Sequence, residues 1–144
     1  MSTNRSGLIG KEFQRFNYTI SSEWIEEFQG ITGEPVEIQS EGPKTVPYTM
    51  LSVITLNICQ QRWFDLAEAL EASWTEDTLM LGEQTYRCSD PLLADVPYEV
   101  SNKIVQVEQK EGKVPFEIIT FETVFHDPKG EVVYQGTNTY IVVD

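Results

Sequence analysis

Apolar and polar residues alternate near the start of the chain. Phe16, Tyr18 and Ile20 take every second position, with Asn17 and Thr19 between them, which predicts a half-buried strand. Ser21 or Ser22 can cap a following helix, with Glu23 favourable in its first turn. Trp24, Ile25 and Phe28 fall at helical spacing, and Gly30 and Gly33 punctuate the end. A short helix is expected over about residues 22–29. Residues 33–47 carry Gly33, Pro35, Gly42, Pro43 and Pro47 and read as a long loop, a type that is often functional. The pattern then changes. Met50, Leu51, Val53, Ile54, Leu56, Ile58 and Cys59 are interrupted only by Ser52, Thr55 and Asn57. A buried strand is the rival reading, because Val53, Ile54, Thr55 and Ile58 are β-branched. Length decides for a central helix over about residues 48–64, since no turn signal occurs before about residue 73 and strands rarely run that long. A helix this apolar is expected to be buried nearly all round.

The remainder reads as β. Residues 80–88 make one strand, with a turn at Asp90-Pro91-Leu92-Leu93-Ala94-Asp95. Tyr98, Val100 and Ile104 alternate in a second strand that continues to Val107. Glu111-Gly112-Lys113 turns into a third, which places Phe116, Ile118, Thr120 and Val124 on one face. Asp127-Pro128-Lys129-Gly130 has Pro second and Gly fourth, a strong turn, before a fourth strand with Val132, Tyr134, Tyr140 and Val142. Long strands joined by tight turns form an antiparallel meander. A sheet with one apolar face needs a cover, and an apolar helix needs a wrapper. The expectation is an α+β hot-dog fold: a curved antiparallel sheet folded around the central helix. One such domain spans residues 9–144, preceded by a short polar tail at 1–8.

Composition narrows the function classes. The 144 residues are 40% hydrophobic and 23% charged, enough core for one domain and too little charge for disorder. Lys and Arg number 10 against 23 Asp and Glu, a formal net charge of -13. That surface repels phosphate, which disfavours nucleic acid and anionic membranes as partners. No apolar run approaches a membrane span, and MSTNRSGLIGKEF lacks an apolar signal core. Two cysteines, Cys59 and Cys88, make no disulfide framework and suit a reducing cytoplasm. One histidine with two cysteines does not make the usual zinc site. No metal or redox cofactor is implied.

The ordered set of motifs resembles a known family. Ile9-Gly10-Lys11-Glu12-Phe13, Phe16-Asn17-Tyr18-Thr19-Ile20 and the helix with Trp24, Ile25 and Phe28 are similar to the start of MaoC-like dehydratase N-terminal domains. Val46-Pro47-Tyr48-Thr49 resembles that family's Pro-rich entry to the central helix. Leu81-Gly82-Glu83-Gln84-Thr85-Tyr86 resembles its Gly-Glu-Gln strand. Pro91-Leu92-Leu93-Ala94-Asp95 stands where the family has a proline and then Gly-Asp, and Phe125 to Val133 resembles its last hairpin. The resemblance runs from about Gly7 to Val143. It implies (R)-specific enoyl-thioester hydratase or 3-hydroxyacyl-thioester dehydratase chemistry. That chemistry uses an Asp and a His spaced five apart, as in Asp-x-Asn-Pro-x-His, to hold and activate water.

The sequence departs from the family at that motif. Its one histidine is His126, the residue five before it is Phe121, and no Asp-x-Asn-Pro-x-His occurs. His126 abuts the Asp127 turn and reads as an exposed turn residue. Leu81 stands where many relatives carry a His. Two-domain and two-subunit members of the family pair a catalytic hot dog with one that lacks the dyad, and this chain resembles the latter. The resemblance implies a non-catalytic subunit that binds acyl-CoA or acyl-carrier-protein thioesters, as a homodimer or as a heterodimer with a dyad-bearing hot-dog subunit. Groove candidates are Pro47, Tyr48, Asn57, Leu81, Gly82 and Gln84, with Pro47 and Tyr48 shaping the helix entry and Gly82 permitting close backbone approach. Asn57, Gln60 and Gln61 are polar residues on an apolar helix and either bond the sheet or face a ligand or partner. Glu83 either fixes its strand or faces the groove, and Asp95 caps its turn. Asp65, Glu68, Glu71, Glu76 and Asp77 read as a solvated acidic face, and Cys59 as a buried structural thiol. A hot-dog acyl-CoA thioesterase is the alternative, although residues 49–64 contain no carboxylate to direct water. Glu83 or the 34–41 loop would have to supply one. A non-enzymatic homo-oligomeric binding module is the third reading.

Overall fold

The computed structural model describes residues 5–33, 44–70 and 79–143. The elements are β1 (Phe16–Tyr18), α1 (Ser22–Thr32), α2 (Leu51–Leu70), β2 (Leu79–Cys88), β3 (Tyr98–Lys110), β4 (Phe116–His126) and β5 (Val132–Val143). The strands form one sheet in the order β1-β3-β4-β5-β2, with every neighbouring pair antiparallel. The meander β3-β4-β5 is its middle, and β1 and β2 are its two edges. One sheet face is cupped against α2, which is the hot-dog fold. No helix among the described residues is long and apolar enough to cross a membrane.

Local chemistry sets the element ends. The Ser21 side chain accepts from the Trp24 amide at 3.1 Å and caps α1. The helix ends at Gly33, whose φ of 73° suits a residue without Cβ. It therefore runs three residues past the expected end at 29, because Gly30 is tolerated inside it. Pro47 precedes a tight turn, Tyr48–Met50, that leads into α2. α2 continues to Leu70 rather than ending near residue 64, since its amphipathic second half buries Leu66, Ala67 and Leu70. At the last hairpin, Asp127 Oδ1 accepts from the amides of Lys129 and Glu131, both at 2.9 Å.

The core has two parts along α2. Met50, Leu51, Ile54 and Ile58 pack with Ile20, Ile25, Leu92, Tyr98, Val100, Phe125 and Tyr134. Farther along, Cys59, Leu66, Ala67 and Leu70 pack with Ile104, Ile119, Phe121, Tyr140 and Val142. Polar bonds cross the same interface: the Thr55 hydroxyl meets that of Tyr134, and Asn138 Nδ2 donates to Cys59 Sγ.

Three expectations are corrected. On β4 the face toward the helix is Glu117, Ile119, Phe121, Thr123 and Phe125, not Phe116, Ile118 and Thr120, which are half-buried on the other face. Both faces of β4 are apolar, so alternation alone gives no choice between them. The central helix is not buried all round. Val53, Leu56 and Phe64 are exposed, because a sheet of five strands covers only one side of it. The third concerns His126, which ends β4 half-buried beside Ser101 rather than standing in the open turn. A register shift between Ile104 and Gln106 explains another detail: it returns Val107 to the core face out of step with Tyr98, Val100 and Ile104.

Residues 5–8 also reach inward. Arg5 is buried; its guanidinium pairs with Glu117 and its Nε donates to the Leu70 carbonyl at the end of α2 at 2.6 Å. The segment that follows bonds to β3, with Gly10 N donating to the Ile104 carbonyl at 2.7 Å and Phe13 N to the Asn102 carbonyl at 3.0 Å.

Candidate functional site

A cavity of about 480 Å³ opens where α1, the entry to α2 and the end of β2 converge. Its size falls in the usual range for small-molecule sites. Val46, Pro47, Leu51 and Leu92 give it an apolar lining. The chain enters along this wall in extended form: Val46 N donates to the Leu92 carbonyl and Ala94 N to the Lys44 carbonyl, both at 2.7 Å. Gln29 comes from α1, Cys88 from the end of β2, and Asp90 from the loop beyond it. Lys44 stands at the rim, 3.4 Å from Glu26. Burial pushes the Cys88 thiol above its ordinary value, which keeps it protonated and weakly nucleophilic.

The expected groove residues divide between two places. Pro47 and Tyr48 line this cavity. The Tyr48 ring is well exposed and lies 5.8 Å from that of Tyr86 on β2. Gln84 is two residues from Tyr86 on the same strand, opposite Asn138 of β5. Gln84 Nε2 and Asn138 Oδ1 are both buried without a hydrogen-bond partner among the described residues. Gly82 sits at the register shift between Leu81 and Glu83. A Cβ there would meet Thr139 Oγ1 at 3.3 Å and Ile141 at 3.4 Å, so the close approach is to the neighbouring strand. Leu81 pairs in register with Tyr140, and its side chain lies outside what is described. Asn57 is elsewhere. Its Oδ1 accepts from the Tyr18 hydroxyl at 2.8 Å, which ties α2 to the β1 edge, across the sheet from β2. Burial raises the Tyr18 pKa to about 12, so that donor stays protonated.

Other candidates fall into place by register. Glu83 is exposed and pairs with Thr139, on the face away from α2. His126 pairs with Val132 in β5, and its Nε2 lies 3.4 Å from Ser101 Oγ, also away from the helix. Asp95 takes a positive φ of 62° and accepts from the Ser22 hydroxyl at 2.6 Å and the Ser22 amide at 3.2 Å. It therefore fastens α1 to the β2–β3 loop, a longer reach than the turn cap expected of it. Those two bonds, the hydroxyl first, hold its carboxyl below the ordinary value. Cys59 is buried, and burial raises its thiol as well. Gln60 and Gln61 are exposed. The 34–41 loop and Glu71, Glu76 and Asp77 lie outside the described residues.

Comparison with known proteins places this geometry. Residues 7–135 match the family model of the FAS1-like dehydratase domain region. The chain belongs to that family. This FAS1-like dehydratase chain is similar in fold to the HadBC (3R-hydroxyacyl-ACP dehydratase) complex of Mycobacterium tuberculosis, at 14% identity and a TM-score of 0.70, over 93% of this chain and 96% of that one. A MaoC-like dehydratase matches with a TM-score of 0.75 at 16% identity, over 97% of this chain but 43% of the longer one. A chain of the ChsH1-ChsH2 complex of Mycobacterium tuberculosis matches with a TM-score of 0.63 at 12% identity, over 96% of this chain and 86% of that one. No curated protein sequence matches. The MaoC-like resemblance in the sequence and the hot-dog fold agree with this family.

The sequence did not single out the cavity residues Gln29, Lys44, Cys88 and Asp90 as groove candidates. One signal was available. Gln29 stands four residues after Ile25, on the buried stripe of α1, where a polar residue calls for an explanation.

Proposed function

We propose that this FAS1-like dehydratase chain is the acyl-thioester-binding, dyad-lacking half of a MaoC-type hydratase or dehydratase. In that assembly a second hot-dog subunit supplies the Asp and His. One observation carries the reading: the sole histidine, His126, lies beside Ser101 and is not among the cavity-lining residues or on α2. General acid–base hydration needs a group that exchanges its proton near neutral pH beside the reacting carbons. The apolar cavity, by contrast, suits an acyl chain. Two of the fold relatives are named as complexes, which supports pairing. β2 supports it as well, since among the described residues it pairs only with β5 and leaves an open edge. In this reading Pro47 and Tyr48 shape the cavity entrance, Leu81, Gly82 and Gln84 carry the strand beside it, and Asn57 anchors the helix between them.

The deciding experiment is hydration of a short trans-2-enoyl-CoA by the purified chain, alone and with a dyad-bearing hot-dog protein encoded beside it. The expected result is no turnover alone and turnover together. Robust turnover alone that survives His126→Ala would overturn the proposal. Asp90, the one carboxylate among the cavity-lining residues, favours a second reading, acyl-CoA hydrolysis. Thiol release from butanoyl-CoA that Asp90→Asn abolishes would establish it.

A further inference from the structure

Among the described residues lining the cavity, Gln29 is the one polar side chain that is nine-tenths buried. Its Oε1 is a buried acceptor with no hydrogen-bond partner among the described residues. α1 holds it there: Ile25, one turn earlier, is fully buried in the core, and the Gln29 carbonyl is already used by Gly33 N at the helix end. The apolar lining residues Val46, Pro47, Leu51 and Leu92 offer no side-chain donor, and the polar lining residues, Lys44, Thr45, Tyr48, Thr49 and Ser89 among them, leave Oε1 unbonded.

A buried acceptor is costly to leave bare. A plain hydrocarbon chain that fills the cavity removes water from Oε1 and returns nothing. A chain that carries a hydroxyl returns the bond. Sites built around a polar partner discriminate strongly against analogues that lack it. We infer that Gln29 is a specificity-determining residue, and that the cavity selects an acyl group bearing a hydroxyl donor over the matching saturated chain. This rests on the acyl-thioester reading above. It goes beyond that reading because it assigns a preference to one side chain of this subunit.

The test measures binding of hexanoyl-CoA, 3-hydroxyhexanoyl-CoA and 6-hydroxyhexanoyl-CoA to the full chain by calorimetry. Gln29→Leu and Gln29→Met are measured beside the unaltered protein. At least one hydroxylated ligand is expected to bind about tenfold or more tighter than hexanoyl-CoA. Both substitutions are expected to erase that preference by tightening hexanoyl-CoA. Both should also melt within a few degrees of the unaltered protein, because the substitutions break no bond of the Oε1 acceptor to the protein. Equal affinity for all three ligands overturns the inference and leaves acyl-thioester binding standing. Binding of none overturns both. A marked drop in melting temperature in both variants also overturns it, since Gln29 would then have a structural partner.

Discussion

Asp95 shows how one residue couples a loop to a helix. Its positive φ suits Asp or Asn, and its carboxylate receives both the hydroxyl and the amide of Ser22. Those bonds lower its pKa from 3.8, so the folded chain holds this proton less tightly than the unfolded chain. The stabilisation is present above about pH 4 and is lost as pH falls through the lowered value. Asp95→Asn keeps the backbone conformation and removes the charge, and is expected to flatten melting temperature against pH below about 4. Gly136 is a second such point. A Cβ there would sit 2.7 Å from the Tyr134 hydroxyl and 3.2 Å from the Thr85 carbonyl. Tyr134 cannot swing away without losing Thr55, so Gly136→Ala is expected to cost about 1–3 kcal/mol in a denaturant titration. The two thiols differ by position. Both are raised by burial, but Cys88 lines the cavity and Cys59 lies under α2. Iodoacetamide at pH 8 is expected to label Cys88 first, and hexanoyl-CoA to slow that site alone, as read by peptide mass.

At the scale of elements, α2 is held by two side chains that interrupt its apolar pattern, Thr55 and Asn57, and by the thiol of Cys59. Thr55 and Cys59 bond Tyr134 and Asn138 of β5, and Asn57 bonds Tyr18 of β1. The far end is held by Arg5, which joins the Leu70 carbonyl to the buried Glu117 carboxylate. Removing one partner strands the other charge in the interior. Glu117→Ala is therefore expected to lower unfolding free energy by about 3–5 kcal/mol, and Arg5→Met with Glu117→Leu to recover much of it. Neither residue announces this in the sequence. Arg5 stands in a polar stretch, and Glu117 reads as the solvent side of a strand.

At the scale of the molecule, one sheet covers one side of an apolar helix. Val53, Leu56 and Phe64 stay exposed on the other side, and Phe64 retains 64% of its accessible surface. Exposed apolar residues along one face of a helix fit the paired subunit of the proposed function. Leu56→Asp with Phe64→Asp is expected to reduce the sedimenting mass to that of the 16.5 kDa monomer without lowering the melting temperature. A fall in melting temperature with unchanged mass would show that these residues serve the monomer instead.

The sequence alone determined the elements, their order and the hot-dog architecture, because periodicity, caps and turn residues are local properties. Ser21, Gly33 and the Asp127-Pro128-Lys129-Gly130 turn do in the fold what their types dictate. The motif order pointed correctly to a MaoC-like family, and the absent Asp-x-Asn-Pro-x-His was legible as an absence. Tertiary structure decided which face of β4 turns inward, since both faces are apolar and only α2 distinguishes them. It parted Asn57 from Pro47 and Tyr48, because those two stand in the turn before α2, with Tyr48 beside Tyr86 of β2, whereas Asn57 lies inside the helix and bonds Tyr18 of β1. It also assembled the cavity, whose walls come from α1, the helix entry and the β2 end. Residues as distant as Gln29 and Cys88 meet there only because the sheet bends around the helix, and no local pattern encodes that meeting.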